Sequence, residues 1–165
     1  MKNMLRNFLQ CPICKTAFSK KKGMLICRKN KHIFPIKQGI PVLIDIPNFH
    51  SHSQQQQVVF EKTMHKKTID SFIHMKPHEI RYLERFSDNF KIIKNKYVIE
   101  VGTGSGYMAI GLAKLGAQVI ACDITLDSLV RLKKFAKTLG LEKNLFFVCC
   151  SADKHPFKDN VFDYF

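Results

Sequence analysis

The chain has 165 residues, 45% hydrophobic and 24% charged, the balance of a folded soluble protein rather than a disordered one. No apolar run approaches the ~20 residues of a membrane helix, and residues 1–9 mix Lys2 and Arg6 among their apolar side chains, unlike a secretory signal. No membrane span is therefore expected, and a cytoplasmic location is. The net charge of +14 is uneven, because residues 1–46 hold ten basic residues and one acidic residue, +9 of the total. Such a patch suits a solvated lysine-rich surface or the attraction of a phosphate backbone.

The first element in chain order is a metal-ligand spacing. Cys11, Cys14, Cys27 and His32 follow the pattern C-x2-C-x12-C-x4-H. A C-x2-C knuckle points two thiolates at one ion, and a second pair completes the tetrahedron that structural zinc prefers. Without a secretory signal, this spacing favours metal over disulfide. Residues 1–46 are too few to bury a self-sufficient core, so a metal staple has a physical use. The other cysteines, Cys122, Cys149 and Cys150, sit in apolar runs and read as small hydrophobes.

Several short stretches carry a resemblance. Cys11-Pro12-Ile13-Cys14, Leu25-Ile26-Cys27 and His32-Ile33-Phe34-Pro35-Ile36, running into Gly39-Ile40-Pro41-Val42-Leu43, resemble the zinc ribbon fused to many methyltransferases. A related ribbon precedes a bacterial rRNA guanine methyltransferase and uses Cys3His ligation. In other relatives the fourth ligand is a cysteine three residues after the third, where this chain has Asn30. The resemblance implies His32 as the fourth ligand, and together with the charge it points to RNA as a partner of this module.

Residues 48–57, with Ser51-His52-Ser53 and glutamines 54 to 57, cannot build a core and read as a linker. Residues 58–95 read as helical in two pieces. Pro77 suits a first helical turn, and Ile80, Leu83 and Phe86 recur at helical spacing. His78, Arg81 and Tyr82 on this stretch could line an acceptor pocket or simply form helix surface.

From Lys96 the pattern alternates. Strands are expected at 97–101, 118–122 and 145–150, and helices at 108–115 and 126–139, with Gly140 as a stop. That predicts an α/β fold, a Rossmann-like parallel sheet with crossover helices behind a small zinc ribbon. The expected division is a ribbon at 1–46, a linker and helical segment at 47–95, and a sheet domain at 96–165.

Glu100-Val101-Gly102-Thr103-Gly104-Ser105-Gly106 directly follows the first of these strands. Glycines there let the chain turn sharply and let a ligand approach the backbone. Tyr107 stands where a dinucleotide fingerprint wants its third glycine, and Glu100 lies two residues before the first. Both details point away from NAD, and from an oxidoreductase, toward S-adenosylmethionine. Asp123 ends the second strand 21 residues beyond Gly102, where a carboxylate can accept from both ribose hydroxyls. A plainer alternative is a helix start, with Thr125 or Asp127 as N-cap.

Residues 96–165 resemble the first half of a class I methyltransferase of the type 11 kind. The match runs from Val98-Ile99-Glu100 through Ala121-Cys122-Asp123 to Ser151-Ala152-Asp153-Lys154-His155-Pro156-Phe157 and on to Asp159-Asn160-Val161-Phe162-Asp163. The resemblance implies that Glu100, Gly102, Gly104, Gly106 and Asp123 hold the cofactor, with Ser151 and Ala152 on the adenine. Ser151 stands where Asp is commoner, and Asp153 is less often a ligand. It implies methyl transfer to RNA or a small molecule, with no catalytic residue identified. A non-catalytic RNA-binding ribbon with a remnant Rossmann domain is the alternative. Relative to that family the chain ends within the fourth strand, so an exposed Phe-rich edge, self-association and no turnover are expected of it.

Overall fold

The computed structural model describes residues 5–44 and 93–165. The expected linker and paired helices, with Pro77, His78, Arg81 and Tyr82, lie outside the described residues. The N-terminal module opens with α1 (Leu5–Phe8), followed by β1 (Phe18–Lys21), β2 (Met24–Cys27), β3 (Ile33–Lys37) and β4 (Ile40–Pro41). These four strands form one antiparallel sheet in sequence order. The Phe18↔Cys27 to Lys21↔Met24 register leaves only Lys22 and Gly23 for the turn, so a tight hairpin separates the Cys11–Cys14 pair from Cys27 and His32.

The second part is β5 (Tyr97–Val101), α2 (Tyr107–Lys114), β6 (Gln118–Asp123), α3 (Leu126–Thr138) and β7 (Leu145–Cys149). The three strands are parallel, in the order β5-β6-β7, each joined to the next through a helix. This is the expected alternation, and the bounds differ from the sequence reading by one residue at several ends. The fourth strand is reduced to a single bridge, Val98↔Tyr164, flanked by Ile99 N–H donating to Tyr164 O at 3.1 Å. Phe165 is 95% exposed.

Strand alternation splits the core in two. On one face Val98, Val119, Ala121, Leu145, Phe147 and Cys149 pack against Ala109, Ile110 and Leu112 of α2 and Leu129, Leu132 and Ala136 of α3. On the other, Ile99, Ile120, Cys122, Phe146, Val148 and Cys150 pack against the module's Leu5, Phe8, Leu9, Leu25, Phe34 and Leu43. The layers are therefore helices, parallel sheet and metal module. The small module gains a core by sharing the sheet's second face, which the sequence reading had left to metal alone.

Two further contacts join the parts. Val42 runs parallel to Cys149 and Leu43 N–H donates to Cys149 O at 2.7 Å, so the chain leaving β4 covers the β7 edge. At the other edge Phe8 stacks on Phe162 with ring centroids 5.3 Å apart and meets Tyr97 at 4.9 Å. Phe162 is thus partly covered by α1, while Tyr164 and Phe165 stay exposed, so the expected apolar edge is shielded at Phe162 only.

Candidate functional site

Cys11, Cys14, Cys27 and His32 converge, with one ligand atom of each within 4.8 Å of all the others. Cys14 Sγ lies 3.2 Å from Cys27 Sγ, and His32 Nδ1 lies 3.4 Å from Cys11 Sγ and 3.8 Å from Cys14 Sγ. Ligands about 2.3 Å (sulfur) and 2.0 Å (nitrogen) from a tetrahedral zinc are themselves spaced about 3.5–3.8 Å apart, so the four atoms are gathered near the spacing that small shifts would bring onto an ion. Burial raises the Cys11 thiol to about 11. Burial works the same way on Cys27, but hydrogen bonds from Thr16, the Asn30 amide and Cys14 outweigh it and bring that thiol down to about 6. Donors that stabilise a thiolate also suit a thiolate–metal bond.

Thr16 is the residue that ligand spacing could not reveal. Its hydroxyl lies 3.2 Å from Cys14 Sγ and 3.0 Å from Cys27 Sγ, beside both thiols.

The second site sits at the carboxyl ends of β5 and β6, where parallel sheets carry ligands. Gly102, Gly104 and Gly106 all take positive φ, and the loop they form leads into α2. A Cβ on Gly102 would meet nothing within 4 Å, so this glycine leaves its side of the loop open. Gly106 faces inward instead, where a Cβ would lie 2.3 Å from Leu132 Cδ2. Close packing against α3 therefore requires a glycine at this position.

Two carboxylates bracket the loop. Asp123 is buried, and its Oδ2 accepts from Gly104 N–H at 2.8 Å while Oδ1 accepts from Thr125 N–H at 2.8 Å. Thr125 occupies the N-cap of α3 without a side-chain cap. Neither Thr125 nor Asp127 caps through its side chain, and Asp123 supplies the acceptor from two residues upstream. Glu100 Oε2 accepts from Thr103 Oγ1 at 2.5 Å. Burial lifts the Glu100 carboxyl above its usual range, against hydrogen bonds from Thr103 and the Ala109 amide, and the nearby Asp123 charge adds to the lift.

Ser151 follows Cys150, whose N–H donates to the Asp123 carbonyl at 3.0 Å, so the segment after β7 begins beside the end of β6. Ser151 Oγ hydrogen-bonds Asp153 Oδ1, and Ala152 is exposed between them. Asp153, ranked lower on sequence, is therefore the partner that orients Ser151. Cys122, Cys149 and Cys150 are buried, and burial drives the Cys149 thiol up to about 12, as suits small hydrophobes.

Comparison with known proteins agrees with both parts. Residues 98–165 match the family described as methyltransferase domain, and residues 2–39 match the family described as Trm112p-like protein. The ubiquinone/menaquinone biosynthesis C-methyltransferase of Rickettsia felis is 38% identical over 77 residues, covering 43% of this chain and 31% of the relative. Its counterpart in Rickettsia prowazekii is 35% identical over the same coverage. This chain spans about a third of the length of these curated relatives. Among solved structures, the Trypanosoma brucei PRMT1 enzyme–prozyme complex with AdoHcy aligns at 25% identity and a TM-score of 0.41, over 52% of this chain and 26% of that one. Residues 98–165 are thus similar to methyltransferase domains, and they follow an N-terminal segment that is similar to Trm112p-like proteins and carries the Cys/His cluster.

Proposed function

We propose that the loop from Gly102 to Gly106, with Glu100, Asp123, Ser151 and Ala152, holds S-adenosylmethionine for methyl transfer, and that Cys11, Cys14, Cys27 and His32 hold one structural zinc. The observation that carries the reading is the pairing of an open Gly102 with a buried Asp123 carboxylate bonded to Gly104 N–H. A ligand can lie against the loop at Gly102, and each Asp123 oxygen keeps a further lone pair for a ribose hydroxyl.

The bound cofactor supplies an activated sulfonium methyl, so the protein's task is to orient the acceptor in line with it and keep water out. Glu100 and the loop amides fix the amino-acid end, and Asp123 fixes the ribose. The acceptor is RNA or a small molecule. The Rickettsia relatives carry the name of quinone-pathway C-methyltransferases, which favours a small aromatic acceptor. The +9 charge of residues 1–46 favours RNA.

Titration calorimetry with S-adenosylhomocysteine, and separately with NAD, tests the cofactor. Binding of the first alone is expected, and binding of NAD or of neither would return the loop to a structural turn. Filter binding of RNA across a salt series separates the acceptor classes, since phosphate contacts give a steep salt dependence. A non-catalytic RNA-binding protein would bind RNA in that series and not the homocysteine ligand.

A further inference from the structure

The metal knuckle grips the stretch that follows Ser151 and Asp153. Gln10 stands immediately before Cys11 and Lys15 immediately after Cys14. Gln10 N–H donates to Pro156 O at 2.8 Å, and Gln10 Nε2 donates to Phe157 O at 2.5 Å. Lys15 Nζ donates to His155 O at 3.0 Å, and Lys158 N–H donates back to Phe8 O at 2.9 Å. Leu9 and Phe157 complete an antiparallel bridge, and Phe157 is buried at 2% exposure. Three consecutive carbonyls, those of 155, 156 and 157, are thus taken by two residues that border zinc ligands.

From its own side the same stretch has the Phe157 N–H on His155 Nδ1 at 3.4 Å and the stacking of those two rings. Residues 150–158 contain no helix or strand of their own, and Ser151 hydrogen-bonds Asp153. Loop carbonyls must find donors or water, and here the donors come from the knuckle. Lys15 has positive φ, and its N–H donates to Cys11 O at 2.8 Å, so its backbone closes the turn that brings Cys11 and Cys14 together. A bound ion would add a common partner for the four ligands and so order this turn further.

We infer that Gln10 and Lys15 are positioning residues, which carry the order of the zinc knuckle into the segment 151–158 and so set the affinity of the cofactor site. The inference rests on the proposed reading that Ser151 and Ala152 touch the cofactor, and it adds the residues that place them. Neither Gln10 nor Lys15 is among the proposed ligands of cofactor or metal.

The test uses the full chain in zinc-loaded and chelator-stripped forms, with the variants Gln10→Ala, Lys15→Met and Lys15→Arg. Metal content, amide hydrogen exchange at Gln10 and Lys158, and calorimetric affinity for S-adenosylhomocysteine are the three readouts. Gln10→Ala and Lys15→Met should keep one equivalent of zinc, speed exchange at Lys158, and weaken the ligand by roughly threefold to tenfold, the equivalent of about one hydrogen bond. Lys15→Arg should restore both, since it keeps the cation and the donor. Stripping the metal should reproduce the faster exchange in the wild type. Unchanged exchange on stripping or in both variants would overturn the coupling, and so would faster exchange with unaltered ligand affinity. If the zinc-loaded wild type bound no ligand, the cofactor reading alone would fall, because exchange measured without ligand still reports whether the knuckle orders residues 155–158.

Discussion

Asp123 and Gly104, 19 residues apart, are tied by a 2.8 Å hydrogen bond from the Gly104 amide to Oδ2 of the carboxylate. The same side chain takes the Thr125 amide on its other oxygen, so one buried group fastens the glycine loop to the start of α3. An acidic residue at the end of a second strand is usually assigned to the ligand. Here it holds the loop itself in shape.

Asp123→Ala should therefore lower stability as well as cofactor affinity. It leaves two amides without their acceptor, each worth about 1–3 kcal/mol when buried and unpaired. Chemical denaturation should read a loss of about 3 kcal/mol. Asp123→Asn keeps an oxygen for one of the two amides and should lose about half as much. Equal stability of the alanine variant and the wild type would mean that the carboxylate serves the ligand only.

The loop glycines should separate by substitution. Gly102→Ala places a methyl where nothing lies within 4 Å, so its stability cost is the left-handed backbone alone, about 1 kcal/mol, while the methyl occupies the ligand's side of the loop. Gly106→Ala drives a methyl into Leu132 and should cost a further 1–3 kcal/mol, roughly the price of overpacking a core. Calorimetry should then find Gly102→Ala folded and blind to S-adenosylhomocysteine. Normal binding by that variant would place the ligand elsewhere.

Much of this was legible in the sequence because each signal was local. The C-x2-C knuckle, each strand and helix of the alternation from Tyr97 onward, and the glycine loop after a strand are each recognised from residues close together in the chain. The shared core was not legible. Leu9, Leu25, Phe34 and Leu43 look like the sparse apolar content of a ribbon too small to fold unaided, and nothing near them indicates Ile120 or Val148 as partners. Thr16 was missed for a similar reason, since a threonine two residues past Cys14 carries no spacing signature. Asp123 was read as one role or another, whereas the fold gives its two oxygens separate amides.

The hydroxyl of Thr125 is fully buried and has no hydrogen-bond partner among the described residues. Thr125→Val replaces it with a methyl of the same shape and removes the desolvation cost, so stability should rise by about 1 kcal/mol. The Thr125 amide keeps its bond to Asp123, and cofactor affinity should not move. A thermal melt of the variant decides the matter, and a lower melting temperature would reveal a partner for the hydroxyl.

Glu100 should set a trade between stability and binding. Its carboxyl is lifted above the ordinary value of 4.5, with burial as the chief cause. A raised folded-state value means that the unfolded chain loses this proton first as pH rises. Glu100 therefore opposes folding once pH climbs from about 4.5 through its folded value, and is neutral to folding below that window. Glu100→Gln abolishes the titration while keeping an oxygen for Thr103. The variant should gain stability over the wild type as pH rises from 4 to 7, and it should bind the cationic cofactor less tightly. A stability difference that shrinks with rising pH would contradict this sign.

Metal removal should disturb the sheet as well as the ribbon. Protein purified without chelator should carry about one zinc per chain, the count that four converging ligands can hold. Cys14→Ser, or an excess of chelator, should release it. The module then loses the ion that fixes its knuckle, and apparent zinc-coupled folding energies of roughly 10–16 kcal/mol exceed the stability of many whole domains. The consequence reaches further because Leu9, Leu25, Phe34 and Leu43 cover Ile99, Ile120, Phe146 and Val148. Once the module loosens, that apolar face and the β7 edge covered by Val42 and Leu43 are left bare. Bare apolar faces and unpaired edges recruit other chains. Stripped protein should therefore bind a hydrophobic dye and self-associate in sedimentation, and added zinc should reverse both. Stripped protein that stays monomeric and dye-free would show that the ribbon holds to the sheet without its metal.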